Sequence, residues 1–421
     1  MSATQGNVSP IPVALIRVDV LYVTCVDLGP ENNGGALCCR NHVRKLAADP
    51  SIRLQVAVIG TSGMEHGNRA FAEEVGADFH FIAFQEIVLD PDDSRLNVGL
   101  SNLFPWERTS LVQSHVSDTL RAVVARVEPE AIVIDYLPTA LFALPIFESP
   151  LPVVVITLQD ERKFFRDLRE RVQSPEWSGN DLAEERLSQF ERWVYSRAAA
   201  VIALRQGDLE QVTAAGTPPA RQHVVSPVFP LPEERWRYRN SRSIFFVGNH
   251  HHFPNRSAID WLCTQLAPLL WALDPSIQLR IIGAHSNELP SYAANDNICF
   301  LGYADRETVN REFVDCALFI APISLDYGCE IKLQECAAHA TPFVATASAL
   351  EGLPSLPMVP IIKLEDAAAA AGLIYQLIGD ARQLADLSEQ IAVRMEDERE
   401  RQRPLFGDIV RDSLGPLSHT H

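Results

Sequence analysis

From Ala321 to Thr346 the chain reads APISLDYGCEIKLQECAAHATPFVAT, and this stretch decides the fold. An apolar run ends at Pro322, a turn carrying Gly328 follows, a helical period runs from Glu330 to His339, and a second apolar run starts at Pro342. Strand, glycine turn, helix and strand in that order make one unit of a parallel sheet covered by helices. Within the helical period Lys332, Glu335 and His339 are spaced i, i+3 and i+7 and share one side, while Leu333, Cys336, Ala337 and Ala340 form another. A lysine can meet a phosphate, and a glutamate can accept bonds from two vicinal ribose hydroxyls. Spacing alone leaves open the commoner arrangement, a solvated lysine–glutamate pair.

The same alternation extends outward in both directions. Upstream, Ser243 to Gly248, Gln278 to Gly283, Asn297 to Tyr303 and Cys316 to Pro322 read as strands, with helical patterns at Asn255 to Trp271 and Asp305 to Phe313. The first half repeats the theme with Val18 to Cys25, Leu54 to Gly60, Phe79 to Phe84, Ala131 to Leu137, Pro152 to Leu158 and Ala199 to Leu204, and an amphipathic segment at Ser110 to Val127. Strands apolar on both faces belong to sheets with helices on both sides. A stretch rich in proline and arginine after Val228 lacks any apolar period and reads as a connection. The expected fold class is therefore α/β, with two doubly wound Rossmann-like parallel-sheet domains facing each other across a cleft. Their bounds are 1–230 and 243–400, with a linker at 231–242 and a tail at 401–421. Helical patterns run from Glu365 to Glu398. Arg403 and Pro404 precede an apolar segment, Leu405 to Val410, which can pack on either domain, including back on the first. Ligands bind such folds at the carboxyl ends of the strands.

A length of 421 residues fits two domains of ordinary size, and 47% hydrophobic against 21% charged residues supports buried cores. The 36 basic and 54 acidic residues leave a net charge of −18, which argues against nucleic-acid binding and makes any anion site a local exception. Cysteines 25, 38, 39, 263, 299, 316, 329 and 336 form no CxxC pair, so reduced thiols are expected rather than a zinc ribbon or a disulfide framework. The first twenty residues lack the pattern of a secretory signal, and no run of eighteen apolar residues occurs. A cytoplasmic protein is expected. Oligomeric state is not legible.

Gly34 and Gly35 fall where the first strand turns into a helix expected to begin near Ala36, a place where backbone can approach a ligand and free amides favour anions or hydroxyls. A turn needing glycine for its geometry alone is the open alternative. No GxGxxG fingerprint follows, which removes nicotinamide chemistry. His250, His251 and His252 are adjacent on a loop, point different ways and have no second ligand cluster, so no metal is expected. The run from Arg162 to Arg171 mixes basic and aromatic residues; it is either a solvated helix face or a peripheral contact with an anionic lipid at the inner membrane face.

The stretch from Ala321 to Thr346 resembles the nucleotide-binding motif of the retaining GT-B glycosyltransferases of the group 1 (GT4) family. There a turn glycine, a Lys and a Glu precede Ala-x-x-x-x-Pro-x-Val-x-Thr. Phe245 to Leu262, Leu279 to Gly283, Ile298 to Tyr303, Phe319 to Pro322 and Leu350 to Leu353 follow in the family's order. The resemblance covers about residues 243 to 355, and the first half only through the Gly-Gly turn and the strand pattern. It implies a nucleoside-diphosphate sugar as donor substrate, no separate cofactor, and a glycan, lipid-linked or small-molecule acceptor on the N-terminal domain. It places Glu335 on the ribose, Lys332 and the Gly328 turn near the diphosphate, and backbone near Gly302 and Tyr303 against the base. Gly34, Gly35, Asn249 and Gly283 complete the donor set. A lysine and a helix start can stabilise the leaving diphosphate without a metal.

The chain departs from the family in three places. Tyr327 stands where many members have a first glutamate, with Glu330 as a displaced acidic candidate. Asn249 to Phe253 replace a basic pair. Leu158, Gln159 and Asp160 replace a histidine motif. Lys332 and Asp160 are the catalytic candidates, Asp160 for orienting the acceptor or for capping the next helix; Asp135 carries the same ambiguity. The expected activity is glycosyl transfer with retention. A sugar-nucleotide epimerase on the same fold and a donor-binding subunit without turnover stand as alternatives.

Overall fold

A computed structural model describes residues 17–31, 33–83, 106–172, 181–284, 296–325, 327–402 and 405–415. In the first half β1 (Val18–Thr24), α1 (Gly34–Ala47), β2 (Ile52–Gly60), α2 (Glu65–Glu74), β3 (Asp78–Ala83), α3 (Trp106–Val127), β4 (Ala131–Asp135), β5 (Val153–Thr157), α4 (Glu161–Val172), α5 (Asp181–Arg197), β6 (Ala200–Ala203), α6 (Leu209–Ala214) and β7 (Gln222–Val224) build a parallel sheet of order β3-β2-β1-β4-β5-β6-β7. In the second, β8 (Ser243–Val247), α7 (Phe253–Trp261), α8 (Ala267–Leu273), β9 (Gln278–Ile282), β10 (Ile298–Gly302), α9 (Arg306–Asp315), β11 (Leu318–Ala321), α10 (Ile331–Ala338), β12 (Phe343–Ala345), α11 (Ala347–Leu350), α12 (Ala367–Gly379) and α13 (Ala381–Gln402) give a parallel sheet of order β10-β9-β8-β11-β12. The chain ends in α14 (Leu405–Asp412).

Period-2 alternation sorts the first sheet's side chains onto two faces. Leu21 and Val23 pack with Val116 and Leu120 of α3, while Val20 and Tyr22 pack with Val43 and Leu46 of α1. Every residue of β4 and β5 is buried, as central strands of a covered parallel sheet must be. Helix α14 returns to the first domain: Phe406, Ile409 and Val410 join the α1 side of that core, and Arg411 Nη1 lies 2.7 Å from Asp49 Oδ2. Arg403 and Pro404 lie outside the described residues, as does Phe84.

Several local expectations change. Helix α1 begins at Gly34 rather than near Ala36, because Asn33 caps it, its side chain accepting from Ala36 N–H at 2.8 Å; both glycines thus lie in the first turn. The helix expected over Asn255 to Trp271 is broken by a wide π turn at Leu262–Leu266, where Pro268 cannot donate back along the helix. The connection at 231–242 is anchored on the second domain: Trp236 is buried, its amide donates to His339 O at 2.8 Å and its indole to Cys316 O at 2.7 Å. Strand β7 carries no apolar run and was not expected. No described helix is long and apolar enough to cross a membrane.

Candidate functional site

The carboxyl ends of β8, β9 and β10 meet the start of α10, and glycines set their spacing. Gly283 has φ +147°, and a Cβ there would stand 2.0 Å from Gly248 O; a Cβ on Gly248 would stand 2.5 Å from Asn255 Cγ. The two backbones touch, and Asn255 fills the corner. Its Nδ2 donates to Asn249 O at 3.0 Å and its Oδ1 accepts from Lys332 Nζ at 2.5 Å. Lys332 also lies 3.2 Å from Glu330 Oε2 and 5.1 Å from the Phe246 ring centre. His252 opens to solvent beside this group, yet the surrounding protein and then the Lys332 charge hold its pKa at about 4, so it is neutral near pH 7. Among the described residues no group of three His, Cys, Asp or Glu is placed to hold a metal ion.

The row read along α10 separates in space. Glu335 is buried and paired with Arg306 at the start of α9; burial raises its pKa, and Arg306 opposes the rise. His339 leaves the row: its ring stacks on Phe313 at 5.1 Å and its Nδ1 donates to Glu335 O at 2.8 Å, inside the core. Gly302, at φ +66°, accepts from Gly283 N–H at 2.8 Å, and Tyr303 beyond it is exposed.

The first domain approaches α10 closely. A Cβ on Gly34 would lie 3.4 Å from Ile331 Cβ, so the start of α1 abuts the start of α10, while Gly35 faces Asn33. Gly328, at φ +68°, sits against Gln159, where a Cβ would stand 3.2 Å from Gln159 Cβ. Its amide donates to the two carboxylate oxygens of Asp208 at 3.1 and 3.3 Å. Tyr327 donates to Asp167 Oδ2 at 3.2 Å.

Asp160 is buried and accepts from Lys163 N–H at 3.1 Å, the geometry of a helix cap. Asp135 is fully buried beneath α1, bonded to the Tyr22 hydroxyl and 2.7 Å from His42 Nδ1. In the α4 run, the side chains of Phe165, Leu168, Arg169 and Arg171 lie outside the described residues; Phe164 packs edge-on against Tyr327. Asn255, Arg306, Asp208 and Glu161 were not singled out from sequence. Asp208 and Glu161 each follow the carboxyl end of a strand, which is the signal that marks them. A cavity of about 540 Å³ opens instead among the amino ends of β8 and β9, by Ser243 and Gln278; it is remote from this chemistry, and Arg280 in it is tied to Glu312.

Two parallel-sheet domains closing on a glycine turn and a lysine-bearing helix define the GT-B architecture. Residues 241–380 match the family of glycosyl transferases group 1, and residues 55–227 match the glycosyl transferase 4-like domain. The chain belongs to the group 1 glycosyltransferases. No curated protein sequence matches it. Among solved structures it is similar to sucrose-phosphate synthase from Thermosynechococcus elongatus, with TM-score 0.68, 15% identity, and 94% of this chain and 99% of that chain covered. Anabaena Alr3699/HepE, solved with UDP-glucose, gives 0.63, 13%, 95% and 100%. A point mutant of S. aureus TarM, solved with Fondaparinux, alpha-GlcNAc-glycerol and UDP, gives 0.65, 9%, 94% and 100%. At these identities the likeness is one of fold.

Proposed function

We propose that the chain moves a sugar from a nucleoside-diphosphate sugar to a glycan, lipid-linked or small-molecule acceptor held by the first domain, with retention at the anomeric carbon. The observation that carries this is the Lys332 ammonium, fixed by Asn255 beside the glycine-spaced corner of Gly248, Asn249 and Gly283 at the start of α10. A diphosphate seated there meets a cation and the positive end of a helix, which stabilise the charge that grows as the sugar leaves. That set supplies the electrostatics of departure without calling on a metal. Glu335 faces the ribose and shares its carboxylate with Arg306, and backbone near Gly302 and Tyr303 lies against the base. Gly34 and Gly35 line the opposite wall; Glu330 is the acidic group nearest the sugar. Asp160 acts by fixing α4 rather than by proton transfer, and in retention the leaving diphosphate takes the acceptor's proton. UDP is the first nucleotide to try, since one of the similar structures holds UDP-glucose and another UDP.

The test is a thermal-shift and binding panel of UDP, GDP, ADP and TDP with their hexoses, followed by assay of nucleotide release and product anomer. A ligand specific for the folded state raises the melting temperature once its concentration passes its Kd. One of the four should do so, and Lys332→Ala should weaken it about thirtyfold, the loss of a charge-assisted bond. No response from any of them, or an unaltered Lys332→Ala, refutes the proposal.

A further inference from the structure

The turn that opens α10 is held by the other domain. Asp208, fully buried just beyond β6, accepts the Gly328 amide across the gap. Arg205, itself 3% exposed, donates from Nε to Asp208 Oδ1 at 3.2 Å and reaches with Nη1 to Glu351 Oε2, 3.0 Å away on the second domain. One N-terminal pair thus grips the C-terminal domain at two points, Gly328 and Glu351. The backbone around Gly328 accepts no substitute for this contact, since its positive φ and the Gln159 side chain leave glycine as the residue that fits. A carboxylate bound to a buried amide is among the stronger hydrogen bonds. It is also costly. Burial pushes the Asp208 pKa up to about 6 against the pull of Arg205 and the Gly328 amide, and an apolar residue would hold two domains together at less cost. The retained charge indicates alignment rather than adhesion.

We propose that Asp208 is a positioning residue for sugar transfer: it clasps Gly328, closes the two domains and so fixes α10, with Lys332 and Glu335, relative to the acceptor face. This rests on the transfer reading above. Because the charged nucleotide contacts, Lys332 and Glu335, lie on the second domain and only the Gly34–Gly35 wall on the first, loss of the clasp changes nucleotide affinity little and misaligns donor and acceptor; a displacement near 1 Å costs about a hundredfold in rate.

The experiment compares wild type, Asp208→Ala and Asp208→Asn, with UDP and UDP-glucose as probes. Three readouts are taken: UDP affinity by calorimetry, UDP release from UDP-glucose with acceptor extract, and radius of gyration by small-angle scattering. For Asp208→Ala the expected result is UDP affinity within about threefold of wild type, release down about a hundredfold, and a larger radius of gyration. Asp208→Asn, which keeps an acceptor oxygen for the Gly328 amide, should recover most of the release. Should Asp208→Ala not fold, Asp208→Glu carries the test, since one added methylene displaces the turn by about 1 Å. An unchanged radius of gyration in the substituted protein overturns the inference, even without turnover on UDP-glucose. So does a parallel fall in UDP affinity and release, the mark of a merely structural role. Failure of wild type to bind any nucleoside diphosphate overturns the transfer reading instead.

Discussion

Replacing Glu161 by glutamine should stabilise the protein, and more so as pH rises. Glu161 opens α4 behind the gap; it is 1% exposed, its Oε2 accepts from the Gln159 amide at 3.2 Å, and its Oε1 has no hydrogen-bond partner among the described residues. The carboxylates of Asp160 and Asp208 and the Tyr136 ring stand around it, and burial first, then the two like charges, push its pKa up to about 8. The folded-state value exceeds the unfolded value of about 4.5, so the group's contribution to stability is full below that pH and is lost as pH rises toward 8. Between about pH 5 and pH 7 the loss from this one carboxyl is about 2.5 kcal/mol, from 1.36 kcal/mol per unit. Glutamine has the same shape and no proton to lose. The melting-temperature gap between Glu161→Gln and wild type should therefore widen by several degrees over that range, at about 2–4 °C per kcal/mol. Glu191, also held near 8 by burial beside Arg162, feels the Glu161 charge as the smallest of its influences, so most of its own titration is common to both proteins. Melting curves that stay parallel from about pH 5 to pH 7 would refute the reasoning, because then the buried carboxyl is not protonated in the folded state.

Arg306→Ala leaves only the weaker pull of Lys332 against burial at Glu335 and pushes that carboxyl's pKa higher, so nucleotide affinity should fall near neutral pH and recover as pH rises more steeply than in wild type; titration calorimetry at several pH values checks it. Glu330→Gln frees the Lys332 ammonium from its 3.2 Å partner and should tighten UDP about threefold, while UDP-glucose tightens less if Glu330 also meets the sugar. Phe406→Ala removes a ring that is 1% exposed and stacks on His42 at 5.5 Å; it should cost about 3–5 kcal/mol and release α14, visible as faster amide exchange from Leu405 to Asp412.

Legibility followed the physics of each signal. Strands β1, β4 and β5 were readable because a covered parallel sheet demands continuous apolar runs, and α10 because its Leu333, Cys336 and Ala337 repeat with the helical period. Strand β7 was not, since its Gln222, His223 and Val224 are all half-buried and pair as an edge. The spacing of Lys332, Glu335 and His339 gave their common helix but not their partners. Lys332 turns to Asn255, 77 positions earlier, and Glu335 turns to Arg306; such pairings are set by how the strands are ordered in the sheet. His339 left the polar row because a ring at the end of α10 gains more by stacking on Phe313 than by facing water. The position of Asp208 after β6 is legible, but its partner is not: that partner is a backbone amide in the other domain, and an amide has no sequence signature.

A chain of net charge −18 can hold a doubly charged diphosphate only where its own anions are already engaged. Three described carboxylates at α10 meet that condition. Glu330 is committed to Lys332, Glu335 to Arg306, and Asp208 to Arg205 and the Gly328 amide, so none of these three stands as an unmatched charge facing an incoming ligand. On the proposed reading, a diphosphate at Lys332 would exchange one ammonium–oxygen contact for another instead of desolvating a bare cation, and binding would gain from the difference between a single carboxylate and two phosphates. His252, neutral near pH 7, would offer such a ligand a hydrogen bond and no charge. Affinity and release are thereby balanced on the same residues. On the proposed reading Glu330, 3.2 Å from Lys332, is placed to reclaim the lysine when the nucleotide leaves, so that departure exposes no uncompensated charge there.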